Sequence, residues 1–461
     1  MKKIILIGAF LLGGITLQAQ NNNKWTIQEC VDYALENNIT IKQSELDTQL
    51  ADIDKNQAVM NFLPNLSANS SYNINTGSNI NPATNQFENQ TFKSLSGGVN
   101  SGVNLFAGLQ NWKNLQRSKL NVLASQYQLD KMKDDISINV ANAFVQILFN
   151  KEQLKVLQAQ NKITKENLER TQELVNAGVL PQGDLLEIKA TDATQKQQII
   201  AAENNLFISR VGLAQLLKIE DYQTFDVVEE DYGIFSDDIL DKDANEIIAK
   251  AKEEVYDVKI ADMNYQLAQK DLELARTDYY PTLSAFMGYN TRWSSTNVDP
   301  STVIVSPLTG EVIYSGSRMP FIDQLYTFDG TSFGLQLNIP IFNRLATRNN
   351  VKRSQVNVER SKYLLEQANL DLEATVYQAY NDAKSARLSY DAAKQTAEAR
   401  QLAYEYAEER YTVGLSNAFD FNQSSIQYEN AQSDVVRTKY EYIFKLKVLE
   451  FYFGIPIDEI N

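Results

Sequence analysis

Hydrophobic and polar residues alternate along this chain with two different periods, and glycine and proline mark where one gives way to the other. Five stretches lack both breakers: 20–63, 109–177, 234–280, 341–413 and 415–453. Within them apolar residues recur at spacings of three, four and seven, as in Ile136, Val140, Ala143, Ile147, Leu154 and Leu157. Lys, Glu, Gln, Asn and Asp fill the faces between, so the pattern predicts amphipathic helices with coiled-coil-like packing. The stretches 109–177 and 341–413 each predict a helix about 100 Å long, where an average globular helix has about a dozen residues. The breaker-rich intervals follow period two instead. Leu66, Ala68, Ser70, Tyr72 and Ile74 alternate with small polar residues, and 95–105, 283–293 and 333–341 repeat the pattern. They predict four strands with one apolar face and one face of Ser, Asn, Gly and Gln, broken by Phe286.

Such strands suit either a soluble sandwich, with the apolar face inward, or an outer-membrane barrel, with that face toward lipid. Their length of about ten to twelve residues suits a tilted membrane strand. Aromatic residues gather at the strand ends: Phe62, Phe106, Tyr279, Tyr280 and Phe342 at one rim, and Tyr72, Trp293, Phe321 and Tyr326 toward the other. Tyr72, Tyr289 and Trp293 are the candidate aromatic girdle.

The chain also repeats itself. An offset of 217 residues sets Pro64 on Pro281, and past the hairpin loops an offset of 236 sets Phe106 on Phe342, Gly178 on Gly414 and Asp184 on Asp420. This divides the sequence into a first structural repeat (20–217), an acidic connecting segment (218–243), a second repeat (244–455) and a tail (456–461). Each repeat reads helix, strand, loop, strand, very long helix, tight turn, helix. Pro64 and Pro281 stand at the helix-to-strand joints. Four strands cannot close a barrel, and lipid forbids open sheet edges, so membrane strands require several copies. Eight strands would be filled by their own side chains; twelve, from three copies, leave a pore.

Composition narrows the chemistry. The 461 residues include no histidine and one cysteine, Cys30. This removes histidine-based triads and metal sites, internal disulfides and cysteine clusters. The net charge of −15 opposes nucleic-acid binding. No pair of carboxylates stands out from solvated helix faces, so the expectation is no enzyme and no cofactor. Lys2 and Lys3, the apolar run 4–15 and Leu17-Gln18-Ala19 predict a secretory signal peptide over residues 1–19.

Several motifs together resemble the TolC-like outer-membrane efflux family. They are the start Trp25-Thr26-Ile27-Gln28-Glu29, the joints Leu63-Pro64-Asn65-Leu66 and Tyr280-Pro281-Thr282-Leu283, the strand end Leu337-Asn338-Ile339-Pro340-Ile341-Phe342, and the turn Tyr411-Thr412-Val413-Gly414-Leu415. The resemblance implies an α+β membrane protein. A long α-helical, coiled-coil barrel joins four antiparallel strands per chain, which contribute to a trimeric twelve-stranded transmembrane β-barrel. It implies a homotrimeric outer-membrane exit duct extending into the periplasm of a Gram-negative bacterium. The duct would serve tripartite efflux or type I secretion with a periplasmic adaptor, an inner-membrane pump and outer-membrane lipid as partners. A secreted or periplasmic coiled-coil scaffold or adhesin is the alternative.

The resemblance also places a gate at the periplasmic tip. Gly178 and Gly414 reverse the long helices, with Val179, Leu180, Val413, Leu415 and Ser416 beside them as candidate adaptor contacts. Tyr411 matches a family tyrosine of the closing network, Asp184 its aspartate partner, and Asp420 an aspartate of the constricting ring. Ser416 stands where the family carries a network arginine, and Gln423 replaces a second ring aspartate; Glu187, the repeat mate of Gln423, could supply charge instead. Asp184 and Asp420 also fit plain helix-dipole stabilisation in a first turn.

Overall fold

In a computed structural model, residues 24–80, 87–229, 238–310, 312–314 and 316–455 are described. The expected signal peptide and the tail 456–461 lie outside them. The first repeat begins with a short strand β1 (Lys24–Trp25), helices α1 (Ile27–Asn37) and α2 (Ile39–Met60), and strands β2 (Asn65–Ile80) and β3 (Phe87–Ala107). Helices α3 (Gln110–Asn176) and α4 (Gln182–Leu217) complete it, and strand β4 (Asp226–Val227) follows. The second repeat holds α5 (Ala244–Glu254), α6 (Tyr256–Thr277), β5 (Thr282–Ser294), β6 (Ile304–Val305), β7 (Val312–Tyr314), α7 (Phe321–Thr327) and β8 (Gly330–Asn338). It closes with α8 (Ala346–Thr412) and α9 (Ala418–Tyr452). Among the described residues, no helix is long and apolar enough to cross a membrane.

The chain forms two compact units, with α2, α3, α6 and α8 each contributing a segment to both. The first comprises residues up to Glu45, Leu129–Val258 and the chain from Asn369. Its two apolar cores follow the repeat. One gathers Ile27, Val31, Ile136, Val140, Phe144 and Leu213 around α1, α3 and α4. The other gathers Ile247, Ala251, Leu372, Val376 and Leu449 around α5, α8 and α9. Ile136 and Leu372, Val140 and Val376, and Leu213 and Leu449 are pairs at the 236-residue offset, so one packing scheme is used twice. Phe144 is fully buried, while its counterpart Tyr380 is half-buried and its hydroxyl donates to the Leu240 carbonyl (3.1 Å). Thr26 starts α1 with a capping box: its hydroxyl accepts from Glu29 N–H (3.2 Å), and Glu29 accepts from Thr26 N–H (2.9 Å).

The acidic connecting segment has electrostatic partners. β4 pairs in parallel with β1, and Lys151, almost buried on α3, reaches Asp226 (2.7 Å), Glu229 (3.2 Å) and the Val227 carbonyl (2.8 Å). A hydrogen bond from Lys155 and the charges of both lysines hold the Glu229 carboxyl down at about 2.

The second unit, Leu46–Gln128 and Lys259–Ala368, contains the four-stranded antiparallel sheet in the order β2-β3-β5-β8. The central β3–β5 pairing joins the two repeats. The strands of the first hairpin, 16 and 21 residues long, exceed the length predicted from periodicity, because the Ser/Thr/Asn alternation continues to pair well beyond the apolar stretch. β8 stops at Asn338 because Pro340 cannot supply a ladder N–H. A bulge between Asn104 and Phe106 shifts the register, so Phe106 rather than Leu105 aligns with Leu283 and Leu337.

Candidate functional site

In the second unit, the register sorts side chains cleanly onto two faces. Leu66, Ser101, Met287 and Phe333 form one rung of the apolar face; Ala68, Val99, Tyr289 and Thr331 form the next. The rungs Val103–Ala285–Leu335 and Phe106–Leu283–Leu337 continue it, and Phe333 is 84 % exposed. Tyr72 and Trp293 share one rung through Leu95, whereas Tyr289 sits four residues along β5, about 13 Å nearer mid-strand. The girdle candidates are therefore on one face but at two levels.

The opposite face is polar and close-set. Asn100 Nδ2 donates to Asn69 Oδ1 (2.9 Å), and the Ser71 and Ser96 hydroxyls share a hydrogen bond (2.7 Å). A Cβ on Gly98 would strike the Asn290 side chain, so glycine makes room for the asparagine. Phe286, the aromatic exception, lies directly over its cross-strand partner Gly334. At the joints, Leu63 N–H and Tyr280 N–H close final turns onto Met60 and Thr277 before Pro64 and Pro281 open the strands.

In the first unit, the two helix reversals are built alike. α3 ends in a Schellman motif: Gly178 has φ 76°, its N–H donates to Val175 O (3.0 Å), and Val179 N–H donates to Leu174 O (2.9 Å). Gly414 has φ 74°, with Gly414 N–H to Tyr411 O (3.1 Å) and Leu415 N–H to Arg410 O (2.8 Å). Val179, Val413 and Leu415 are left exposed at the apices, with Leu180 and Ser416 half-buried. The returning helices start differently. Asn417 caps α9 by accepting from Asp420 N–H (2.8 Å), whereas Pro181 precedes α4 without a side-chain cap. Asp184 and Asp420 both occupy first turns, where a carboxylate stabilises the helix dipole.

Tyr411 is held in an aromatic stack. Its ring lies parallel to buried Phe421 (5.0 Å, 7°), and Tyr404 packs on Phe421 (5.7 Å) and Tyr428 (5.6 Å). The Tyr411 hydroxyl shares its hydrogen bond with Thr171 (3.2 Å). Burial, aided by Glu408, pushes the Tyr404 hydroxyl up to about 12, so this ring stays neutral. Asp184 is half-buried, and Glu187, Asp420 and Gln423 are exposed. One chain thus brings Tyr411 to Thr171 and Phe421, while the four acidic or amide candidates are exposed or half-buried.

Reading the sequence for apolar periodicity missed a largely buried polar ladder binding α3, α4 and α9. Gln153 donates to Ser433 (2.9 Å), Gln160 to Ser425 (2.7 Å), Asn161 to Asp192 (3.0 Å), and Gln195 to Glu429 (3.1 Å). Burial opposes the charge of Asp192, but hydrogen bonds from Lys196 and Asn161 outweigh it and hold its carboxyl below the usual range. Among the described residues, Glu429 accepts from the neutral Gln195 amide, and burial pushes its carboxyl up. The signal was available: polar residues stand at core-facing positions of otherwise apolar stripes.

The matches to known proteins follow the same outline. The family model described as outer membrane efflux protein matches residues 30–217 and 247–454, one segment per repeat. Outer membrane protein TolC of Salmonella enteritidis is 23 % identical over 459 residues, covering 98 % of this chain and 86 % of that protein. TolC of Escherichia coli is 23 % identical over 449 residues, covering 96 % and 84 %. Among solved structures, the outer-membrane channel OprN superposes with a TM-score of 0.74 at 16 % identity, covering 94 % of this chain and 90 % of that one. The outer membrane protein VceC of Vibrio cholerae gives 0.73 at 13 % identity, covering 94 % and 96 %. With duplicated long helices, a four-stranded sheet having one apolar face, and a family match running through both repeats, this chain belongs to the outer membrane efflux protein family, whose members are outer-membrane channels.

Proposed function

We propose that the chain is one third of a passive exit duct, gated at the helix reversals and energised by a partner. The carrying observation is the sheet. β2 and β8 are its edge strands, and its apolar face is exposed from Phe333 to Leu337. In lipid every strand edge must pair, so copies close edge to edge. Three copies supply twelve strands around a polar lumen of Ser, Asn and Gly, and an eight-stranded dimer would be plugged by its own side chains. A secreted scaffold has no use for a wide exposed apolar face opposite a mostly polar one.

In this reading residues 1–19 are a leader, 20–217 and 244–455 are two equivalent wall segments, and 218–243 is a strap pinned by Lys151 and Lys155. The exposed Val179, Val413 and Leu415 form apolar knobs that fit a periplasmic adaptor, through which an inner-membrane pump delivers substrate. Asp184, Asp420 and Glu187, tripled around a threefold axis, make negative rings that favour cations, with Gln423 in place of a second ring aspartate weakening them. Tyr411, clamped by Phe421 and Thr171, holds the returning helix in the closed position. No bond chemistry is assigned to the chain.

Two measurements test this. Detergent-extracted protein should run as a trimer, and an aqueous monomer would overturn the barrel. In planar bilayers, Tyr411→Phe, Asp184→Ala and Asp420→Ala should raise conductance or erase cation preference. If all three leave both unchanged, the gate assignment fails while the duct stands.

A further inference from the structure

The loop between β5 and β8 carries a helix whose amphipathic pattern is inverted. The Gln324 side chain of α7 is 1 % exposed and fully engaged. Its Oε1 accepts from the Ser294 backbone N–H (2.8 Å) and Asn297 Nδ2 (2.9 Å), and its Nε2 donates to the Met319 carbonyl (2.8 Å). On the opposite side of the helix, one turn apart, Ile322 is 57 % and Tyr326 is 77 % exposed. A helix lying in water turns its glutamine out and its isoleucine and tyrosine in. This helix does the reverse.

Its position on the sheet gives the inversion a meaning. β8 last pairs with β5 at Gly330 opposite Asn290, and α7 covers the edge of β5 beyond that point. Thr291 Oγ1 donates to the Leu325 carbonyl (2.7 Å), and the Phe321 ring meets Trp293 edge-on at 5.7 Å. Trp293 stands on the apolar face, in one rung with Leu95 and Tyr72, so α7 takes the fourth place of that rung. From Leu283, whose rung holds Phe106 and Leu337, to Trp293 is ten residues along β5. That distance is about 33 Å along the strand, or about 25 Å of height at a tilt near 40°, the height of the apolar band of an outer-membrane barrel. One rung further, Lys93 stands opposite Ile74. α7 is therefore at the upper limit of the band, continuous with the exposed face below it, at the level where aromatic rings meet lipid headgroups.

We propose that α7 is an interfacial lipid-binding element. Ile322 and Tyr326 enter the outer leaflet at the boundary of acyl chains and headgroups, and α7 supplies the girdle that the short β8 does not reach. Exposed Asp323 and Thr327 keep the helix at headgroup depth. The proposal rests on reading the sheet as a barrel wall.

The test uses the full-length protein reconstituted in vesicles of phosphatidylethanolamine and phosphatidylglycerol. Nitroxide labels are placed singly at Ile322→Cys, Tyr326→Cys, Leu335→Cys in the band, and Leu308→Cys, 95 % exposed between β6 and β7. Native Cys30 is fully buried with its thiol pushed up to about 12, so it does not compete for label. The oxygen-to-nickel-chelate accessibility ratio at 322 and 326 should follow that at 335 and exceed that at 308 by about three-fold or more, as for lipid-facing sites. Ratios matching 308, with 335 in lipid, overturn the proposal and leave the barrel intact. Protection from both reagents also overturns it, because a neighbouring chain then covers α7. A water-exposed label at 335 overturns the barrel reading itself.

Discussion

The two repeats agree where they pack and differ where they end. α1 and α5 are both 11 residues long, α2 and α6 both 22, and α3 and α8 both 67. Their buried positions coincide at the two repeat offsets, 217 before the hairpins and 236 after them, although Phe144 faces Tyr380 in the match and Ile147 faces Ala383. The hairpins do not agree. The first has strands of 16 and 21 residues; the second has 13 and 9, with a folded insertion carrying β6, β7 and α7. Corners and caps diverge as well, Gly108 against Arg344 and Pro181 against Asn417, and one helix-interior site differs, Ala193 against the buried Glu429. Helix length is constrained because one added residue would rotate every later side chain about 100° off the core. A loop or cap pays no such penalty, so it is free to specialise.

The sharpest way to break the comparison is at the strand-to-helix corner. Gly108 has φ 58°, and a Cβ there would lie 2.7 Å from Tyr280 Cβ and 2.8 Å from the Thr277 carbonyl. Arg344 adopts φ 57° at the equivalent position and keeps its side chain. Gly108→Val should cost about 3 kcal/mol or more and abolish the assembled oligomer on a native gel. Arg344→Val, at a site that already holds a side chain at positive φ, should cost only the added strain of a β-branched residue there, about 1 kcal/mol.

The buried carboxyl separates the returning helices. Because burial raises the folded-state pKa of Glu429, its contribution to stability is fully present below the unfolded-state value and is lost as pH rises through the folded one. Within that window the slope is at most about 1.4 kcal/mol per pH unit. Thermal melts between acid and neutral pH should therefore show the wild type losing stability relative to Glu429→Gln as pH rises; parallel curves would refute the assignment.

The caps offer the smallest test. Asn417→Ala should cost about 1 kcal/mol and speed amide exchange in the first turn of α9. Pro181→Ala, with no side-chain cap to lose, should leave the start of α4 unchanged within about 0.5 kcal/mol. Equal responses would mean that the caps do not distinguish the repeats.

Much of the fold was legible in the sequence. Breaker-free stretches predicted α3 and α8 nearly to their ends, since Gly178 and Gly414 supply the positive φ that terminates them. Alternation located all four sheet strands. It could not foresee that Phe106, not Leu105, would align with Leu283, because a bulge depends on the partner strand and leaves no mark in one strand's own pattern. Of the proposed gate, only the helix-ending glycines and Tyr411 itself could be named from sequence; its neighbours Phe421, Thr171 and Tyr404 were invisible, being separated from Tyr411 in sequence and joined only by packing. The polar ladder was overlooked because Asn, Gln and Ser at core-facing positions look like errors in a stripe until their partners are opposite them.

By itself, then, the sequence determined the kinds of element, the extent of the two longest helices, the duplication and the two-faced character of the strands. These follow from local periods of 3.6 and 2 and from backbone angles that only certain residues adopt. Tertiary structure alone decided the β3–β5 pairing between repeats, the register of each rung, the partners of Gln195 and Tyr411, and the inversion of α7. Those features are pairwise. They depend on which surface a segment meets, and a single chain read in order carries no record of that.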